Sequence, residues 1–176
     1  MAKDELITKL RGELSYWTGR FAEMFIDKLM KRHFNDQTVD GNLYFNHDGE
    51  VLLNRFERLF TTMTQPAGAV RSYQVDLYGV PSEDETKPDR RPWVVEVKNW
   101  QQVVNRPEVE HFWEAVQTLA QDRGHDEVVG WFYARSGFSG PAKEFMVEKG
   151  ILYSDEAGLI QLLTDLQVVE KWREGE

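Results

Sequence analysis

Apolar residues recur at helical spacing through the first part of the chain. Leu6, Leu10, Leu14, Trp17, Phe21, Met24, Phe25, Leu29 and Phe34 fall on one stripe and predict a helix over residues 3–34. Residues 35–49 are polar and rich in Asn, Asp and Gly, which predicts a loop. Val51–Met63, with Leu53, Phe56, Leu59 and Phe60 as its apolar members, predicts a strand. Gln65–Gly68 reads as a turn, and Ala69–Val80 as a strand of β-branched and aromatic residues in near alternation. Pro81–Pro92 is polar, holds three prolines and predicts a loop before a strong strand at Trp93–Trp100.

The second half alternates between the two periods. Pro107 opens a helix that runs from about Glu108 to Arg123 and stops at Gly124. Val128–Ala134 is nearly continuous in apolar residues, as expected for a strand covered on both faces. Ala142–Lys149 is a helix closed by Gly150, Ile151–Tyr153 a short strand and Ala157–Val168 a last helix. The order α-β-β-β-α-β-α-β-α predicts an α/β fold, a mixed sheet flanked by helices on both faces. With no repeat or linker in sight, all 176 residues are expected to form one domain, 1–176.

Composition narrows the chemistry. There is no cysteine, so disulfides, zinc–thiolate sites and cysteine nucleophiles are excluded. The N-terminus is charged and lacks the apolar stretch of a signal peptide, and no apolar run is long enough to span a bilayer, so a cytoplasmic location is expected. The net charge of −9 counts against a nucleic-acid partner until its distribution is considered. Residues 1–50 carry −2, residues 51–107 carry +1 and residues 108–176 carry −8. The acidity sits away from the segment that carries the candidate chemistry.

That segment is Trp93-Val94-Val95-Glu96-Val97-Lys98-Asn99-Trp100. Side chains alternate along a strand, so Glu96 and Lys98 share a face with Val94, and the flanking valines argue for the interior of the sheet. Two charges buried there cost several kcal/mol each unless they are paired or bind an ion. In the preceding strand Asp76 stands alone among apolar neighbours, and a hairpin across the polar loop would bring it to Glu96. Two carboxylates ~4 Å apart repel by roughly 4 kcal/mol at an effective dielectric of 20, a penalty that a divalent cation removes. Oxygen-only ligands point to Mg²⁺, with Mn²⁺ as substitute, held by Asp76, Glu96 and the carbonyl of Val97. A second Glu-x-Lys, Glu85-Thr86-Lys87, lies in the most polar loop and reads as solvated.

On these residues the chain resembles the PD-(D/E)XK nuclease superfamily, closest in layout to Mrr-like restriction endonucleases and archaeal Holliday-junction resolvases. The likeness extends to Gly19-Arg20-Phe21-Ala22-Glu23 on the first helix, to Gly130–Ala134, to Ser139–Phe145 and to Gly150–Tyr153. It implies a restriction endonuclease-like fold and metal-dependent hydrolysis of phosphodiester bonds, with DNA the more natural substrate than RNA. Asp76, Glu96 and Lys98 would be catalytic. Glu23 would be the helix carboxylate of the family, and Gln117 would match a glutamine some members use near the site. Glu23 could equally pair with Arg20 or Lys28, and Gln117 could be an ordinary helix-surface residue. Val75 stands where the family name has proline.

The four histidines show no metal-ligand spacing, and no phosphate-binding Gly-rich loop occurs. Core packing suits Trp17, Trp113 and Trp131, whereas Trp93 and Trp100 are expected to line a cleft. Arg71, Arg90, Arg91 and Arg106 would ring the site and meet phosphates. A homodimer is expected if two strands are cut. The alternative is a nuclease-like domain that no longer cuts and serves as a binding module, with its acidic C-terminal region as a protein-partner surface.

Overall fold

The computed structural model describes residues 2–16, 20–64 and 73–168. Within the first stripe the described residues form α1 (Lys3–Tyr16) and α2 (Arg20–His33). Trp17 and the Gln65–Gly68 turn lie outside the described residues, as does Arg71. Helix α2 buries Ala22, Phe25, Ile26, Leu29 and Met30, whereas Met24, expected on the same stripe, is exposed.

Residues 35–49 are not a plain loop. They contain β1 (Gln37–Asp40) and a single helical turn, α3 (Gly41–Tyr44), whose first turn is capped by Asp40 Oδ1 accepting from the Asn42 N–H at 3.0 Å. Strand β1 pairs antiparallel with β2 (Glu50–Leu53), with Val39 opposite Val51. The strand expected at Val51–Met63 is therefore two strands. After β2 the chain breaks and restarts as β3 (Arg58–Thr64), in a different sheet. The cause is Asn54, buried between them, whose Oδ1 accepts from the Trp93 indole N–H at 3.2 Å and from the Arg91 N–H at 3.3 Å.

The main sheet has the order β3-β4-β5-β6-β7, with β4 at Gln74–Val80, β5 at Trp93–Lys98, β6 at Val129–Ala134 and β7 at Leu152–Ser154. The pairs β3–β4 and β4–β5 are antiparallel, and β5–β6 and β6–β7 are parallel. The mixed sheet expected from the element order is present. Helices α4 (Arg106–Arg123) and α5 (Gly140–Lys149) cover one face, where Val94 and Phe132 meet Val109, Phe112 and Val116. Helices α2 and α6 (Glu156–Asp165) and the β1–β2 unit cover the other, over Leu77, Trp93, Val95, Trp131 and Tyr133. Gly124 and Gly150 end α4 and α5 in left-handed conformations, both at φ 69°, as their places in the sequence predict.

Trp93 is fully buried, with its ring edge-on to Trp131 at 6.1 Å and to Phe45 at 6.0 Å, so it lines no cleft. The strand that it begins buries Val94 on one face and Val95 and Val97 on the other, and a large ring at its start completes the core. Among the described residues, no helix is long and apolar enough to cross a membrane.

Candidate active site

Strands β4 and β5 pair at Gly79–Trp93, Tyr78–Val94 and Leu77–Val95 and then part. At the fork the Asp76 side chain takes over from the backbone: its Oδ2 accepts from the Val97 N–H at 2.8 Å. A ladder donor that would otherwise go without an acceptor is thereby satisfied by a carboxylate. One residue further along the opposite strand, Glu96 stands on the α4 face beside Val94, as alternation requires. Lys98 follows on the same face, and its Nζ meets Glu96 Oε1 at 2.6 Å. The Glu96 side chain keeps 14% of its surface exposed and that of Lys98 27%, so the pair is largely desolvated yet reachable.

Glu23 comes from α2, and its carboxyl, like that of Glu96, lies within hydrogen-bonding reach of Asp76. Three carboxyl groups thus meet at the fork with one ammonium. The electrostatics record the crowding. Burial and then the charge of Asp76 push the Glu96 carboxyl up to about 7. Burial raises Asp76, against the pull of the Val97 N–H and Lys98. Burial and Asp76 together raise Glu23. Burial alone would lower Lys98, but its bond to Glu96 and the surrounding carboxylates outweigh that and raise it. Carboxyl groups in this proximity cannot all ionise without a cation to offset them, and their oxygens suit a hard divalent ion. Among the described residues no three Asp, Glu or His side chains stand as a ready ligand cage. Glu96 is drawn to Lys98 and Asp76 to the Val97 N–H, so a cation would have to draw Glu96 off Lys98.

A cavity of about 280 Å³ opens beside Glu96 and Lys98, walled by Trp100, Gln74 and the first turn of α4 with Glu108 and His111. These wall residues were missed in the sequence, apart from Trp100. Their only signal was position: Glu108 and His111 lie three apart just after Pro107, on the turn that enters α4 beyond the Glu-x-Lys strand. Among the described residues, nothing hydrogen-bonds to the buried Glu108 Oε2.

Other expected site residues are placed elsewhere. Gln117 is exposed, on the side of α4 away from the buried Val109, Phe112 and Val116, and does not line the cavity. Arg90, Arg91 and Arg106, the described members of the expected arginine ring, do not form it. Arg90 is bound to Asp36, Nε to Oδ1 at 3.0 Å, and to Ser82 at 2.7 Å. Arg91 meets Glu127 at 2.5 Å. Both precede Trp93 and so stand at the opposite end of β5 from Lys98. Arg106 is nearer, but it pairs with Glu110 at 2.5 Å and lies over the Phe145 ring.

A carboxylate at the strand fork followed by a Glu-x-Lys strand, within a mixed sheet between helices, defines a nuclease class of fold. The chain belongs to the restriction endonuclease family Mrr_cat, of PD-(D/E)XK type, whose sequence profile matches residues 50–163. Asp76, Glu96, Lys98 and Gln117 fall inside that span and Glu23 outside it. No curated protein matches the chain. Solved structures similar to it include the protein of unknown function AF1548, at 15% identity over 56% of this chain and 48% of that one, TM-score 0.43. A repair endonuclease from Pyrococcus abyssi matches at 21% identity over 55% of this chain and 38% of that one, TM-score 0.38. The EndoMS–dsDNA2 complex matches at 21% identity over 57% and 37%, TM-score 0.39. The chain therefore spans less than half the length of each of these structures.

Proposed function

We propose that this domain is a metal-dependent endonuclease that hydrolyses phosphodiester bonds, with DNA as substrate. The observation that carries the reading is the meeting of Asp76, Glu96 and Lys98 at the β4–β5 fork, with Lys98 Nζ 2.6 Å from Glu96 Oε1. Asp76, Glu96 and the Val97 carbonyl would hold Mg²⁺ or Mn²⁺. When bound, such an ion supplies Lewis acidity at the phosphate and favours the hydroxide form of a bound water. Lys98 orients the attacking water and offsets the charge that develops on the phosphate oxygens. The water gives up a proton to solvent as its oxygen bonds to phosphorus, one phosphorus–oxygen ester bond breaks, and the departing sugar oxygen takes a proton from solvent and ends as a hydroxyl. Glu23, reaching Asp76 from α2, steadies that carboxylate or adds a ligand oxygen.

The test is incubation of the protein with DNA and RNA substrates in Mg²⁺, Mn²⁺ or EDTA. Cleavage of DNA that requires the divalent ion is the expected result. Cleavage unaffected by EDTA would overturn the metal role, and cleavage of RNA alone would overturn the substrate.

A second reading is favoured by one observation. The arginines flanking the candidate strand are held in intramolecular pairs, which leaves fewer cations to meet phosphate. In that reading the domain binds a protein partner through its acidic C-terminal region and does not cut. Absence of Mn²⁺ binding by calorimetry, together with absence of cleavage, would favour it. A homodimer belongs to the first reading, since two strands need two sites, and sedimentation in the presence of duplex DNA would test it.

A further inference from the structure

We propose that Trp100 is a positioning residue that holds the Lys98 ammonium at the reacting phosphate when Glu96 releases it. The inference rests on the reading of Glu96 as a metal ligand and Lys98 as the catalytic cation. Glu96, Lys98 and Trp100 are spaced by two along one backbone run and line the same cavity. Lys98 Nζ is 2.6 Å from Glu96 Oε1 on one side and 5.3 Å from the centre of the Trp100 ring on the other. That ring distance is within the range of a cation–π contact.

The backbone beneath both residues is fixed. The carbonyl of Lys98 accepts from the Arg135 N–H at 3.0 Å, and the carbonyl of Trp100 accepts from Ser136 Oγ at 2.6 Å. The turn after β6 thus ties down the end of β5, and Trp100, 36% exposed, presents its ring at the cavity rather than in the core.

The chemistry explains why a ring suits this place. A metal ion that engages Glu96 removes the anionic partner of Lys98. A long, four-bond side chain that has lost its nearest partner in a half-open cavity would sample many rotamers. An aromatic face attracts the ammonium without neutralising it and offers no oxygen that would compete for the metal. A carboxylate in the same place would do both. Trp100 therefore keeps the lysine restrained and facing the substrate throughout the exchange.

The test pairs kinetics with emission. Trp100→Ala should lower the single-turnover cleavage rate roughly tenfold with DNA affinity unchanged, and Trp100→Phe should restore most of it. The emission of Trp100, taken as wild type minus Trp100→Phe, should shift when Lys98→Met is introduced into both. Loss of DNA affinity at an unchanged rate would overturn the proposal in favour of base stacking on Trp100. So would an emission difference that ignores Lys98→Met. If the wild-type protein cleaves nothing, the nuclease reading fails on its own, and the emission arm still decides whether the ring holds the lysine.

Discussion

Lys98 and Glu96 hold each other at 2.6 Å, yet their loss should be felt differently. Lys98→Ala removes a cation that positions water and offsets phosphate charge, a contribution of a few kcal/mol in the transition state. Cleavage should fall ~10²–10³-fold while the melting temperature is kept. Glu96→Ala should abolish cleavage together with Mn²⁺ binding, read by calorimetry, because a ligand is gone. The Glu96 carboxyl also makes metal-free stability depend on pH. Its value is raised from 4.5 to about 7 by burial and Asp76, so between those pH values the folded state keeps a proton that the unfolded chain has released. Stability in EDTA should therefore fall as pH rises through that window, and Glu96→Gln should flatten the dependence and melt higher at pH 7. Urea midpoints at a series of pH values would check both, and a Glu96→Gln protein that fails to fold would make Glu96 a structural ion-pair member. Asp76, Glu96 and Lys98 were legible in the sequence because strand alternation is local and apolar flanks mark burial. Glu108 and His111 were not, because their facing the site depends on how α4 crosses the sheet. Gln117 looked apt by family likeness alone, and the turn of the helix carries it to solvent.

Among the elements, the β2–β3 break was visible only as a slip of phase. Val51 and Leu53 are buried on odd positions, yet Phe56 packs against the same core from an even position and Leu59 from an odd one, and one strand cannot serve both phases. What fills the gap is long-range: Asn54 meets Trp93, and Asp36 meets Arg90, 54 residues away. Asp36 sits at φ 66° and also accepts from the Arg55 N–H at 2.8 Å and from Lys87 Nζ at 3.0 Å. The Arg90 guanidinium holds the Asp36 carboxyl well below the usual carboxylate range. This stabilisation is present above the ordinary value of 3.8 and is lost as pH falls below it. With the Arg90 side chain 8% exposed and that of Asp36 21%, the pair is only partly screened. Arg90→Met should lower stability by less than the loss of a fully buried pair would, and cleavage by the folded protein should be unaffected. A denaturant midpoint lowered at pH 7, with a smaller deficit near pH 3, would bear this out. An unchanged midpoint would show that the tie is ornamental to stability. No local pattern could have assigned Arg90 to Asp36, which is why it was expected at the active site.

For the molecule as a whole, the two apolar clusters lie on opposite faces of the same strands, with Val94 on one side and Val95 and Val97 on the other. Neither layer can lose its packing without exposing the back of the other. We therefore expect residues 1–176 to unfold as one cooperative unit, with calorimetric and van't Hoff enthalpies in agreement. Two separated transitions would instead divide the chain. The layered architecture was readable from the alternation of periods, because each crossover from β5 through α4 to β6 is compact in sequence. The electrostatic plan was not. Segment sums located the acidity at residues 108–176, but which arginines remain available to a ligand depends on pairs made across the fold.

The fork of β4 and β5 bears on how such a domain ages. Asp76 closes the ladder by accepting from the Val97 N–H, so the residue is part of the sheet as well as of the site. Asp76→Ala would strand that donor at a cost of about 1–3 kcal/mol, whereas Asp76→Asn keeps an acceptor and sheds a charge, and should melt higher. A lineage released from the need to cut could discard Lys98 at once, but would hold an oxygen at position 76 to keep its strands together. Decay of the activity would thus leave a recognisable fossil, an Asp or Asn at the fork with nothing beside it to do the chemistry.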